Sequence, residues 1–208
     1  LGTNEIVGTG TPVAAAGVTG AMQVTAGIGF SCALVGDGVQ CWGDNSAGQA
    51  GNGSLPYQTT PGDVLGISNA GEIAAGGQHT CAAAAGSVKT VRCWGANDQG
   101  QLGNGDTTPS SLPVDTYDLG ASQLAAGWAH TCALRSGGVV ACWGENMYGQ
   151  VGDGSTAGRT TPVNLAISGA TQVATGYEHS CALMADKTVR CWGRNLAGQL
   201  GLGDTVDR

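Results

Sequence analysis

The sequence predicts an all-β fold, a β-propeller of four-stranded blades about 50 residues each, four of them present. Three observations predict it. Cys-Trp-Gly occurs at Cys41-Trp42-Gly43, Cys93-Trp94-Gly95, Cys142-Trp143-Gly144 and Cys191-Trp192-Gly193, at intervals of 52, 49 and 49 residues. The 38 glycines of the 208-residue chain recur in phase with that period, which excludes collagen-like and disordered readings. Apolar residues, 41% of the total, fall in short runs bounded by turn signals, which is strand grammar.

Each unit repeats the same parts in order. An alternating run opens it (Met22-Gln23-Val24-Thr25-Ala26-Gly27, Glu72-Ile73-Ala74-Ala75-Gly76, Gln123-Leu124-Ala125-Ala126-Gly127, Gln172-Val173-Ala174-Thr175-Gly176) and reads as the first strand. Three residues follow, the third usually His, and then Thr/Ser-Cys-Ala begins the second strand. A hairpin turn leads to the third strand, which carries Cys-Trp. The next loop holds Asn, Gly and Gln at fixed offsets: Asn45/Gly48/Gln49, Asn97/Gly100/Gln101, Asn146/Gly149/Gln150 and Asn195/Gly198/Gln199. A weaker segment with Thr-Pro or Leu-Pro, such as Thr161-Pro162-Val163, closes the unit as the outermost strand, where a missing N–H is tolerated. The expected organisation is a single propeller region, 1–208, with repeats at 1–49, 50–101, 102–150 and 151–199 and a further repeat starting at 200–208.

The eight cysteines fall in four pairs, one per repeat: Cys32/Cys41, Cys81/Cys93, Cys132/Cys142 and Cys181/Cys191. Setting Cys32 opposite Cys41 puts Ala33 against Gln40 and Leu34 against Val39, and leaves Gly36-Asp37 as a two-residue turn whose residues suit positive φ. The other pairs leave loops at Gly86-Ser87-Val88, Ser136-Gly137-Gly138 and Ala185-Asp186-Lys187. Directly opposed residues approach to about 4.5–5.5 Å, within disulfide range. Four intra-repeat disulfides are therefore expected, and with them an oxidising compartment: extracellular, cell-surface or periplasmic. Buried free thiols are the alternative; zinc fits less well, for no close Cys-x2-Cys clamp is present.

Net charge is −7 and the eight Lys and Arg are scattered, so no basic footprint for nucleic acid exists. No apolar stretch approaches the ~20 residues of a membrane span. The chain opens at Leu1 without an initiator Met and reads as a processed or excised piece.

Candidate chemistry dissolves into the repeat. His79, His130 and His179 share one position in successive units, so a structural hydrogen bond within each blade is expected rather than catalysis. Trp42, Trp94, Trp143 and Trp192 are expected to pack between blades. The Gly-Asn-Gly-Ser type clusters read as turns; they lack the ligand number calcium needs and the Lys of a phosphate cradle. Asn52-Gly53-Ser54 is the sole glycosylation sequon. No enzyme, metal or cofactor is expected.

Ala-Gly-x-x-His-Thr/Ser-Cys-Ala-Leu followed by Cys-Trp-Gly-x-Asn-x-x-Gly-Gln-Leu-Gly resembles the repeat of the regulator of chromosome condensation family, in the cysteine-bearing form of bacterial exported members. The resemblance covers essentially the whole chain. Departures are local: Phe30-Ser31 where His would stand, Ala50 and Val151 for Leu, and Ala82-Ala83-Ala84-Ala85 without its Leu. It implies a seven-bladed ring, of which this chain is an arc. Leu1-Gly2 matches Leu102-Gly103, and Arg208 falls in an outer-strand region, so the remaining blades come from the same chain or another.

In a secreted inhibitory member of the family, equivalent loops carry an aromatic binding surface. Carried over, this implies Phe30, Trp128, Tyr148 and Tyr177 as partner contacts, aromatics the repeat itself does not require. The expected function is a non-enzymatic extracellular scaffold binding a protein or glycan through loops on one face. A structural subunit of a surface assembly or filament is the second reading. A third, an intracellular nucleotide-exchange regulator like the chromatin-bound member, lacks a basic face here.

Overall fold

The computed structural model describes residue 2, residues 10–86 and residues 90–208. Four antiparallel meanders follow one another. The first blade is β1 (Ala21–Ala26), β2 (Phe30–Val35), β3 (Gly38–Asp44) and β4 (Tyr57–Asp63); the second is β5 (Ala70–Ala75), β6 (His79–Ala84), β7 (Thr90–Gly95) and β8 (Ser110–Gly120). The third is β9 (Gln123–Ala126), β10 (His130–Leu134), β11 (Val140–Gly144) and β12 (Arg159–Asn164). The fourth is β13 (Ala170–Thr175), β14 (His179–Met184) and β15 (Val189–Gly193), with Arg208 exchanging backbone bonds of 2.7 and 3.1 Å with Gly193 at the place where Arg159 pairs with Gly144. The proline-bearing strands β4, β8 and β12 are outermost, as their missing N–H requires.

The hairpin register is the one the cysteines dictate: Cys32↔Cys41, Cys81↔Cys93, Cys132↔Cys142 and Cys181↔Cys191 are direct partners. All four pairs are disulfide-bonded, each with Cα atoms 4.1 Å apart. In the first turn only Gly36 takes a positive φ, +61°, while Asp37 stays out of the left-handed region. That is the pattern of a type II′ turn. The third loop is a 3-10 turn, Ser136–Gly138, and the fourth places Lys187 at φ +71°. Of the loop expected at Gly86-Ser87-Val88, the last two residues lie outside the described residues, as does Leu1.

The core sits between blades rather than within them. Cys32, Leu34, Val39 and Cys41 of the first blade pack with Ile73, Ala82 and Trp94 of the second. The second and third blades join through Cys81, Cys93, Leu124 and Trp143, and the third and fourth through Cys132, Cys142, Val173 and Met184. Pairing of the third strand to the fourth is irregular at each buried Trp, between Cys41 and Gly43, Cys93 and Gly95, and Cys142 and Gly144. A bulge there re-aims the indole. The indole N–H of Trp94, Trp143 and Trp192 donates to the carbonyl of Gln49, Gln101 and Gln150 in the preceding blade (2.8–2.9 Å). A Cβ on Gly51, Gly103 or Gly152 would come within 2.6–2.7 Å of those indoles, so only glycine fits under the Trp. Gly2 stands against Trp42 in the same way, 3.0 Å from its ring, as the match of Leu1-Gly2 to Leu102-Gly103 predicts.

The histidines differ from expectation. Their bonds run across blades, not within them: His79 Nε2 meets the Thr131 hydroxyl at 2.8 Å and His130 Nε2 the Ser180 hydroxyl at 2.9 Å. Those hydroxyls in turn donate to the Gln101 and Gln150 carbonyls (3.1 and 2.9 Å). A hydroxyl has one proton, already spent on the carbonyl, so each His must donate from Nε2. Full burial lowers the pKa of His79 to about 4, and that of His130 to about 3 with His79 and His179 adding repulsion. Both Nδ1 atoms are buried without a partner among the described residues.

The sheets form an open arc. Val24 is 71% exposed, whereas its equivalents Ile73 and Val173 are each 2% exposed under the preceding blade. Among the described residues no helix is long and apolar enough to cross a membrane.

Candidate binding face

Two kinds of loop share one end of every blade. The short loop between the first and second strands meets the start of the long loop after the third, through bonds such as Asp44 N to Gly29 O (2.8 Å) and Arg194 N to Glu178 O (2.9 Å). A Cβ on the Gly of Cys-Trp-Gly would come within 2.4–2.7 Å of that short-loop carbonyl at all four sites, with φ between +102° and +109°. The invariant Gly therefore locks the two loops together.

Repeating polar residues hold the long loop. Asn45, Asn97, Asn146 and Asn195 each accept from the N–H five residues on (2.8–2.9 Å) and donate to the carbonyl nine residues on (2.6–3.1 Å). Gln49, Gln101, Gln150 and Gln199 each accept, at 2.9 Å, from the N–H two residues back. Asn52, the sequon residue, accepts from Ser54 N and Oγ and donates to Gln58, so its amide is committed to the turn.

Short loops of successive blades are tied by backbone rungs: Ile28 N to Gly77 O, Gly77 N to Trp128 O and Trp128 N to Tyr177 O, all 3.0 Å, with Gly77 N also shared with Gly127 O at 3.1 Å. The rungs set the variable residues 28, 77, 128 and 177 in one row. Trp128 and Tyr177 stack, centroids 4.7 Å apart at 23°. Gly77 leaves room for the indole, for a Cβ there would lie 2.9 Å from Trp128 Cε3. In the long loops Met147 and Leu196 are exposed, and Tyr148 lies half-buried beneath the Arg194 guanidinium, 4.9 Å from its ring centre. Arg194 is ion-paired with Glu178, a contact that raises its pKa.

Three of the four expected contacts, Trp128, Tyr148 and Tyr177, share this end of the array; Phe30 does not belong with them. It is 3% exposed and fills the slot of the cross-blade histidine, its ring against Gly27 as His79 lies against Gly76. Its hydrophobic ring substitutes for the imidazole in the core between the first two blades. Sequence reasoning missed Glu145 and Arg194, which follow Cys-Trp-Gly at a position that reads Asp44, Ala96, Glu145, Arg194. Its variability marks it as non-structural. Between the second and third blades a cleft of about 150 Å³ is lined by Gln78, Asp98, Gln99, Gln101, Trp128 and Glu145 among others. Burial, aided by Glu178 and Asp98, raises the Glu145 pKa.

A ladder of disulfide-stapled meanders, joined by Trp–carbonyl and His–hydroxyl bonds, defines a propeller arc. Profiles of the regulator of chromosome condensation (RCC1) repeat match residues 23–49, 121–150 and 170–199 in one form and 90–134 and 138–183 in another, and the chain belongs to that family. The human E3 ubiquitin-protein ligase HERC2 is 33% identical over 126 residues, covering 55% of this chain and 2% of that protein. The Ultraviolet-B receptor UVR8 of Arabidopsis thaliana is 34% identical over 122 residues, 56% of this chain and 27% of the receptor. Human WBSCR16 superposes with a TM-score of 0.78 at 24% identity over 90% of this chain and 51% of that one. Prp20p of Saccharomyces cerevisiae gives 0.78 at 23%, over 90% and 48%. The chain thus spans about half the length of these solved propellers and less of the curated relatives.

Proposed function

We propose that the chain is the blade array of an exported, non-enzymatic scaffold that holds a protein or glycan partner on its loop face without a cofactor. One observation carries this reading: the repeating polar residues are spent on joining blades and bracing loops, while the non-repeating positions present Trp128, Tyr177, Tyr148, Met147 and Leu196 at a single end. Tyr177 is 54% exposed although stacked, and a rigid aromatic pair loses little entropy on binding. The four disulfides support an oxidising compartment, extracellular, cell-surface or periplasmic. The test is capture of partners from the producing organism's extracellular and envelope fractions with wild-type protein and with Trp128→Ala/Tyr177→Ala. Retention of a specific partner should drop at least about tenfold in the double variant, the loss expected for a binding hot spot. Equal retention by both proteins would move the site elsewhere.

The open lateral face favours a second reading, a subunit that closes or extends through further blades. Exposed Val24 stands where another blade would pack, as Ile73 and Val173 do under theirs.

A further inference from the structure

We propose that the cleft between Trp128, Glu145 and Asp98 receives the cationic end of a lysine or arginine side chain from a protein partner. The inference rests on the loop face being the binding face and assigns it a chemistry.

Comparison of the blades shows what is unusual here. In the first blade, Asp44 follows Cys-Trp-Gly and its carboxylate accepts from Gln49 Nε2 at 3.1 Å, closing the pair. Glu145 and Gln150 stand at the equivalent places in the third blade. There the pair is open: Glu145 Oε2 and Gln150 Nε2 are both buried and neither has a partner among the described residues. Gln150 is wholly buried, and Glu145 lines the cleft. A buried carboxylate oxygen without a donor is costly, and a cation is the partner that repays most of that cost.

The surroundings select the same ligand. Asp98 lines the cleft together with Glu145, and Glu178 adds to the negative field although Arg194 already pairs with it. Trp128 also lines the cleft, an apolar surface against which the stem of such a side chain packs while its charged end reaches the carboxylates. Glycan hydroxyls also donate to carboxylates, but they bring no charge to set against two of them. The net charge of −7 steers a basic partner segment toward the molecule.

The test is NMR titration of the 15N-labelled chain with n-butylammonium and n-butylguanidinium chloride, following the Trp128 indole N–H, assigned through Trp128→Phe. A saturable shift is expected with either cation and none with sodium butyrate. Affinity should fall about tenfold in Glu145→Gln and again in about 0.5 M NaCl, where the Debye length is a few ångströms. Glu145→Asp keeps the charge but shortens the reach to that of Asp44, so it should also weaken binding; an unchanged thermal transition shows that these variants fold. No saturable shift, or the same affinity in Glu145→Gln, overturns the proposal. If the partner is lost with Trp128→Ala/Tyr177→Ala while the cations fail to bind, this inference fails and the face stands. Cation binding with unchanged partner retention sinks the face as the partner site.

Discussion

Thr131 shows how much one hydroxyl does in this fold. It donates to Gln101 O and accepts from His79, whereas Thr80 donates to Gln49 O but, with Phe30 in the histidine slot, has beyond that only the Cys32 sulfur at 3.9 Å. Thr131→Val should therefore cost about 1–3 kcal/mol more than Thr80→Val in urea unfolding, because it also orphans His79 Nε2. The histidines set an acid limit. His79 titrates at about 4 in the fold against 6.5 unfolded, so below pH 6.5 the unfolded chain gains a proton the folded chain refuses. Stability is complete above pH 6.5 and falls as pH drops toward 4, by on the order of 3 kcal/mol for this ring. His79→Phe, which copies the first blade, should reduce the difference between unfolding free energies at pH 7 and pH 5 by the share of one ring, that of His130 remaining. At this scale the sequence reveals the equivalence of the three histidines but not the direction of their bonds, since the partner hydroxyl lies some 50 residues away at another repeating position. Phe30 is misread for the same reason: aromaticity suggests a contact, while its place in the histidine slot makes it core.

At the scale of elements, the innermost strands are clipped blade to blade. The Gln23 amide both donates to Ile73 O (3.0 Å) and accepts from Ile73 N (2.9 Å), and Gln123 accepts from Val173 N at 2.8 Å. In the second blade Glu72 holds this place; burial raises its pKa, only partly offset by bonds to the Leu124 backbone and Gln23. A carboxylate cannot donate to the facing carbonyl as an amide does. Glu72→Gln should complete the clip and stabilise the chain by about 0.5–1.5 kcal/mol, read as a rise in thermal midpoint. Hairpin register was legible from the cysteines, because opposed disulfide partners admit one pairing, and the outermost place of the fourth strand from its proline. The clip was not legible, since Gln on an exposed-looking alternating strand carries no sign of its target.

For the whole molecule, the open arc has a physical consequence. With Val24 71% exposed on a lateral face where its equivalents are buried, the 208 residues expressed by themselves should self-associate as concentration rises, and Val24→Lys should suppress this in sedimentation velocity. A monomer unchanged by concentration would show that the face needs no cover. The blade count and the existence of a distinct loop end were readable from the period and from the fixed Asn, Gly and Gln. The cleft was not, because it depends on Glu145 failing to reach Gln150 as Asp44 reaches Gln49. Export, as proposed, stands on the four staples forming in an oxidising compartment. The measurement that bears on it most directly is non-reducing peptide mapping with thiol alkylation, on protein isolated from its own cells without reductant. Four links joining Cys32 to Cys41, Cys81 to Cys93, Cys132 to Cys142 and Cys181 to Cys191, with no alkylated thiol, are expected. Eight alkylated thiols would contradict export and return the chain to the reducing interior of the cell.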